Sequence, residues 1–288
     1  MAKRYSKAAH AKRHKQTSHK IKNVIILIFC GAAIWFGCSL WHAARTLQTT
    51  HPAESIAGEE FRPQVGSPPY RVVIDAGHGG ADPGARGVVE EKNMTAATAA
   101  ELIRLLQQDA YFIPLQTRDS FDETATPAQR AARASEQSPQ LLLSIHGNSA
   151  ANGSTASGFE CYPSVPGRTW HQESFYFAQL LAEGMQAAGA ELRGHGGVRY
   201  IYYLENDQKQ LVESTHTEIR EERSFTLLED VNCPAVLAEQ CFVTNEADTA
   251  RFGSEEGCKK AARIYYEAIC EYFGTQPQSE QLAGLSLN

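Results

Sequence analysis

Polar side chains that can bind a metal ion stand where apolar runs of this chain end. His78, His146 and Glu239 each follow or close such a run, and Glu91 comes shortly after the first of them. If the runs are strands of an open α/β sheet, their carboxyl ends meet at one edge, and the side chains should converge there. Two imidazoles and one carboxylate are a usual ligand set for catalytic zinc, with a position left for water. The residue types therefore predict a zinc hydrolase.

The rest of the pattern supplies the sheet that such a site needs. From Arg71 onward, short runs rich in β-branched residues or leucine alternate with longer stretches of helical periodicity. This predicts an α/β fold, a single domain with a mainly parallel central sheet flanked by helices. The N-terminal residues, described below, add one transmembrane helix before it. The predicted strands are 71–75, 111–116, 141–145, 157–162, 224–228 and 234–239. The predicted helices are one capped by Asn93 with an apolar stripe to Leu106, one over 174–188 and one over 256–273.

Glycines are concentrated in the loop after the first predicted strand, at Gly77, Gly79, Gly80 and Gly84. A phosphate-binding loop is one interpretation, but the segment has neither a GxGxxG motif nor a Gly-Lys-Ser/Thr motif, which argues against nucleotide binding. A histidine between glycines fits better with a tightly folded loop whose backbone passes close to a metal site.

Five short motifs follow one another in a fixed order between positions 70 and 274. They are IDAGHGG at 74–80 with DPGA at 82–85, EKN at 91–93, TRD at 117–119, SIHGN at 144–148, and PAVLAE at 234–239 with Phe242 and Asn245. In this order they resemble the zinc-dependent N-acetylmuramoyl-L-alanine amidases, the amidase type 3 family of cell-wall hydrolases. Several spaced matches are far more specific than any single motif.

The resemblance implies a role for each candidate site residue. It assigns the zinc ligands to His78, Glu91 and His146, and the catalytic acid/base to Glu239. Glu91 is selected over Glu90 because the family's ligand stands directly before Lys-Asp/Asn. The implied cofactor is Zn²⁺, and the implied substrate is the amide between N-acetylmuramic acid and the L-alanine of the peptidoglycan stem peptide. Glu239 would take a proton from the attacking water and deliver it to the departing amine.

The N-terminal residues predict a membrane anchor. Residues 1–22 carry eight of the 27 Lys and Arg residues and no acid, and 23–44 contain no Lys, Arg, Asp or Glu. This is close to the roughly 20 apolar residues that cross a bilayer. A basic cytoplasmic tail (1–22), a span (23–44) and a linker (45–69) would then place the catalytic domain (70–274) outside the cytoplasm of a bacterial cell, on the cell-wall or periplasmic side. The last segment, 275–288, is predicted to be a flexible tail.

A cleaved signal peptide is the alternative to this single-pass anchor. Its apolar core is usually shorter, about 7–15 residues, and ends at a small-residue cleavage site, which is not evident after Trp41. The retained anchor is therefore the preferred interpretation.

Charge limits the partners of the exported part. Setting aside the eight basic residues of the tail leaves 19 against all 33 acids, a formal charge of −14. Such an acidic surface argues against nucleic acid as a partner. Peptidoglycan, and the membrane through the N-terminal helix, are the partners expected; the sequence does not identify a protein activator.

The cysteines predict no metal site of their own. No CxxC pair is present, and five of the seven cysteines lie in the exported part, an odd number. We expect small buried hydrophobic residues with one or two disulfides among them. They are Cys161, Cys233, Cys241, Cys258 and Cys270.

Some features depart from the family pattern or leave a choice open. The stretch 201–222 is longer than usual, and it is either a surface excursion or a flap over the zinc. Arg118 and Asp119 are assigned to a strand-end ion pair. Two rival functions remain: a catalytically silent or autoinhibited peptidoglycan-binding regulator, and a zinc peptidase that cuts another wall peptide bond. Retention of all four site residues argues against the first.

Overall fold

A five-stranded sheet is formed by β1 (Tyr70–Ala76), β2 (Phe112–Gln116), β3 (Leu141–Asn148), β4 (Glu160–Pro163) and β7 (Ala235–Phe242). Its strand order is β2-β1-β3-β7-β4. The pairs β1–β2, β1–β3 and β3–β7 are parallel, and β4 runs antiparallel to β7 at the edge. The predicted mainly parallel sheet is therefore confirmed.

Helices cover both faces of this sheet, as is usual for parallel strands. They are α1 (Glu91–Gln107), α2 (Pro127–Glu136), α3 (His171–Ala187), α4 (Thr226–Asp230), α5 (Glu246–Asp248) and α6 (Glu255–Tyr272), with a π-helical turn at Thr249–Gly253. Side chains alternate across each strand, so Val72 and Ile74 pack with α1, α3 and α6, whereas Val73 packs with α2 and α4.

The computed structural model describes residues 61–205 and 208–278. The predicted tail and span (1–44), most of the predicted linker and the residues after 278 lie outside that part. No helix within the described residues has the length and apolarity needed to cross a bilayer.

Helix α1 begins two residues before the cap that the sequence predicted. Its first residue is Glu91, and Asn93 lies inside the first turn. The amide of Glu91 donates to the carbonyl of Ala85 at 3.0 Å, and that of Lys92 to the carbonyl of Pro83 at 3.2 Å. Because the preceding loop satisfies these otherwise unpaired amides, the helix starts without an Asn cap.

The predicted strand at 224–228 is wrong. Residues Thr226–Asp230 form the short helix α4, whose Leu227 and Leu228 are buried against the sheet. A short apolar run does not by itself distinguish a buried strand from a buried helical turn.

The long stretch at 201–222 contains most of a β-hairpin that the sequence did not predict. Strands β5 (Arg199–Tyr203) and β6 (Lys209–Glu213) pair antiparallel as a separate two-stranded sheet. One face of the hairpin buries Tyr200, Tyr202 and Val212, with Phe175 of α3 packed against them. The hairpin is thus a packed element rather than an irregular surface loop.

The five cysteines of the described part are all buried and unpaired, so the expected disulfides are absent from it. Burial raises the pKa of the Cys233 thiol to about 12. They behave as small apolar side chains, which is the part of the expectation that holds.

Candidate metal centre

The four predicted site residues meet at the carboxyl-end edge of the sheet. His78 comes two residues after β1, His146 lies near the end of β3, and Glu239 lies opposite His146 on β7. Glu91 is the first residue of α1. The carboxyl ends of adjacent parallel strands lie side by side, so residues far apart in sequence become neighbours.

Three of these residues form a group that could hold a metal ion. The candidate ligand atoms of His78, Glu91 and His146 all lie within 4.8 Å of one another. Glu91 Oε1 is 3.0 Å from His78 Nε2 and 3.1 Å from His146 Nδ1. Two imidazole nitrogens and a carboxylate oxygen are the donor set of open, catalytic zinc sites, so the residues present fit that ion.

Neighbouring groups hold these side chains in orientation. Asp82 Oδ2 lies 2.8 Å from His78 Nδ1, on the opposite side of the ring from Glu91. Glu91 accepts hydrogen bonds from the amides of Gly147 at 2.9 Å and Ala85 at 2.8 Å. Such outer contacts fix the ring and carboxylate that face a metal. Sequence reasoning assigned no role to Asp82; the available signal was its spacing of four residues from His78 in the glycine-rich loop.

The charges of His78 and Glu91 shift each other's pKa. Burial acts to lower the pKa of His78, but hydrogen bonding and charge from Glu91 and Asp82 outweigh it and raise the pKa to about 9. Burial also opposes ionisation of Glu91, yet its hydrogen bonds with the two histidines hold its pKa well below the usual range. Because metal binding requires neutral imidazoles, it would release protons from this cluster.

Two buried arginines fix the loop that carries His78. Arg130 donates to the carbonyls of Ala76 at 3.0 Å and His78 at 2.8 Å, and Arg118 donates to the same two carbonyls. Arg118 therefore binds this loop, and the predicted ion pair with Asp119 is not among the salt bridges of residues 61–205 and 208–278. These contacts support an unusual backbone, since His78 has a φ of 59°.

Gly77 is needed for close approach rather than for its own dihedral angles. A Cβ at this position would lie 2.6 Å from Cε1 of His146. Any other residue would displace that imidazole, so the loop after β1 passes tightly over the site, as the glycine pattern predicted.

Glu239 lies beside this group with an oxygen that has no partner. Its Oε2 is buried and makes no hydrogen bond within the described residues. Burial raises the pKa of Glu239 to about 7. A carboxyl group in this condition can carry and release a proton near neutral pH, as a general acid/base must.

A second buried acid, Glu160, lies opposite Glu239 on the neighbouring strand β4. It accepts from Asn148 Nδ2 at 2.5 Å, and Arg199 Nη1 lies 3.0 Å from its other oxygen. Glu160 is thus paired with Arg199, and it connects Asn148 at the end of β3 to that hairpin residue. Asn245 instead caps α5, accepting from the amides of Ala247 and Asp248.

The candidate site opens into a cleft of about 430 Å³. His78, Glu91, His146 and Glu239 line one part of it. Another part is lined by Tyr203, Lys209 and Phe225, from the hairpin and the turn before α4. The cleft is large enough for a segment of a peptide or a small glycopeptide.

Comparisons with known proteins agree with this arrangement. The family model for N-acetylmuramoyl-L-alanine amidase matches residues 72–271. The uncharacterised protein YqiI of Bacillus subtilis is 31% identical over 205 residues, covering 70% of this chain and 84% of that protein. The germination-specific N-acetylmuramoyl-L-alanine amidase of Bacillus subtilis is 24% identical over 217 residues, covering 70% and 79%.

Solved structures show the same likeness. The catalytic domain of CwlV, an N-acetylmuramoyl-L-alanine amidase from Bacillus (Paenibacillus) polymyxa var. colistinus, superposes with a TM-score of 0.57 at 26% identity, covering 72% of this chain and 99% of that one. The family match spans most of the chain and includes all four residues of the candidate site. This chain is therefore a member of the N-acetylmuramoyl-L-alanine amidase family of enzymes.

Proposed function

We propose that this protein hydrolyses the amide between N-acetylmuramic acid and the L-alanine of the peptidoglycan stem peptide, using a zinc ion held by His78, Glu91 and His146. The observation that carries the proposal is the convergence of these three side chains beside Glu239 in one cleft. Zinc bound there supplies a Lewis acid that makes the amide carbonyl more electrophilic.

Glu239 performs the proton transfers in this mechanism. Its carboxylate takes a proton from the attacking water, and the resulting carboxylic acid gives that proton to the nitrogen of the departing L-alanine. A pKa of about 7, raised by burial, suits both steps. Asp82 keeps the Nε2 side of the His78 ring towards the metal position, and Arg118 and Arg130 hold the His78 backbone.

The proposal includes a location. Residues 23–44 act as a retained single-pass anchor, 1–22 stay in the cytoplasm, and 45–69 link the anchor to the catalytic domain on the outer side. The apolar composition of 23–44 and the basic flank support this orientation. A domain placed there reaches the cell wall.

Metal content and product identity test the function. We expect the full chain to contain zinc and to release stem peptides from purified peptidoglycan, and the Glu239→Ala variant to contain zinc but release nothing. Mass spectrometry of the products should find new N-terminal L-alanine and intact muramic acid. Cleavage elsewhere in the stem would favour a zinc peptidase, and a zinc-loaded parent without any activity would favour a binding or autoinhibited protein.

A further inference from the structure

The cleft carries opposite charges in its two parts. The part around His78 and His146 contains the acids Glu91 and Glu239, whereas the hairpin contributes the cation Lys209. A ligand that contacts both the hairpin and the candidate metal ligands therefore meets a cation at the first and acids at the second.

Arg130 is the other Lys or Arg residue that lines the cleft, and its side chain forms hydrogen bonds within the protein. Its three guanidinium nitrogens donate to the carbonyls of Ala125, Ala76 and His78 at 2.8 to 3.0 Å, and it lies 3.5 Å from the buried Asp75. It is only 6% exposed. Four of its five N–H donors are therefore used within the protein, and burial keeps the side chain away from a ligand.

Lys209, in contrast to the buried Arg130, is exposed. Its ammonium lies 5.5 Å from the ring centroid of Tyr203 and 6.0 Å from that of Phe225. Within the described residues, no carboxylate lies within salt-bridge distance of it. Two aromatic faces hold the ammonium without neutralising it, so no acid of residues 61–205 and 208–278 is paired with its charge.

The position of Lys209 is fixed by the hairpin rather than left to a loose side chain. Lys209 is paired with Tyr203 across the β5–β6 ladder, and the amide of Tyr203 donates to the carbonyl of Arg223 at 2.8 Å. The edge of Tyr203 also contacts Phe225, with centroids 6.0 Å apart. The charge is therefore presented at a defined place in the cleft.

We propose that Lys209 is a specificity residue that binds a carboxylate of the stem peptide beyond the scissile amide. This rests on the proposed function, because the substrate must be a muramoyl peptide for the metal to engage its first amide. The metal and Lys209 then contact two points of one peptide and set its direction in the cleft. An ammonium and a carboxylate form a charge-assisted hydrogen bond, which discriminates against a neutral carboxamide at the same position.

The test uses the full chain and two matched substrates. Both are N-acetylmuramoyl-L-alanyl dipeptides, one ending in glutamate with free carboxylates and the other in its fully amidated counterpart. We expect kcat/KM to favour the acidic peptide by about two- to fivefold, the size of an exposed ion pair. The effect should appear mainly in KM, because the contact forms in the bound substrate as well as in the transition state. Lys209→Gln should remove this preference, Lys209→Glu should reverse it, and Lys209→Arg should keep it.

The matched control is Lys260→Glu. Lys260 also lies over an aromatic ring, 4.8 Å from the centroid of Phe252, but it is on α6 and does not line the cleft. This variant makes the same charge change and should leave the preference intact. Binding of both peptides to a Glu239→Gln protein, measured by calorimetry with and without Lys209→Gln, reports the contact independently of turnover.

Each outcome bears on one of the two proposals. If the wild-type protein releases L-alanine-terminated peptides from peptidoglycan but neither cleaves nor binds the acidic dipeptide in preference, the role of Lys209 is overturned and the amidase function stands. A preference that persists in Lys209→Gln also overturns it. If no muramoyl amide is cleaved and neither dipeptide binds, both proposals fall.

Discussion

The candidate ligand cluster (His78, Glu91 and His146) and the hairpin line the same cleft, but they are held by different means. His78 and Glu91 are fixed by buried arginines, backbone amides and the carboxyl ends of parallel strands. Lys209 is exposed and belongs to a two-stranded sheet outside the main one. The sheet edge therefore holds the candidate ligands rigidly, and we expect substitutions in the hairpin to change substrate preference without disturbing them.

The largest expected effect is loss of a ligand from the rigid cluster. His146→Ala removes one of three donors, and we expect bound zinc and hydrolysis both to fall to background. The measurement is metal content by mass spectrometry together with peptide release. His195→Ala removes an exposed histidine outside the cleft and should change neither. Full zinc content in His146→Ala would show that the cluster is not the metal site.

Loss of the acid/base comes next. Glu239→Gln keeps the shape of the side chain but cannot exchange protons, so kcat should fall about 10²- to 10⁴-fold. Zinc content should stay that of the parent, because Glu239 is outside the ligand group. An undiminished kcat with zinc bound would assign the proton transfer to another residue.

Loss of Asp82, which contacts His78 from outside the candidate ligand cluster, should have a smaller effect on metal binding. Asp82→Ala removes the carboxylate beside His78 Nδ1, and we expect metal affinity to fall about 10- to 100-fold. Asp82→Asn keeps an oxygen that can accept from the imidazole and should lose less. Competition with a chelator measures both. Equal affinity in the parent and Asp82→Ala would mean that the arginine contacts to the His78 loop are sufficient.

The smallest effect is expected in the hairpin. Tyr203→Ala removes one of the two rings below Lys209, an interaction worth about 0.5–1 kcal/mol at exposed sites, so KM for the acidic dipeptide should rise only a few-fold. Zinc content and kcat should stay unchanged. If zinc were lost from Tyr203→Ala, the hairpin and the cluster would be one coupled unit, and the contrast between them would fail.

Much of the sheet could be predicted because its strands are buried on both faces and therefore read as continuous apolar runs. β1 and β3 follow this pattern, and each begins within two residues of the predicted first residue of its strand. The hairpin could not be found in this way. Lys209–Glu213 is mostly polar, and its pairing depends on contact with β5 and α3 rather than on its own periodicity.

The candidate site was predicted more completely than the residues that support it. His78, Glu91, His146 and Glu239 were predicted from their types, their places after apolar runs and the motif order, and the structure brings them to one cleft. The roles of Asp82 and Arg130 were missed. An acid and an arginine in loops or helices have many uses, and only their neighbours in space decide which one applies.

The sequence by itself determined the α/β alternation, the family motifs and the candidate metal-binding side chains, because these depend on residue type and local order. Only the tertiary structure decided that two arginines bind the His78 loop and that Lys209 shares the cleft with Glu239. Such contacts join positions far apart in the chain. They arise because parallel strand ends and a packed hairpin meet in space, which no local pattern specifies.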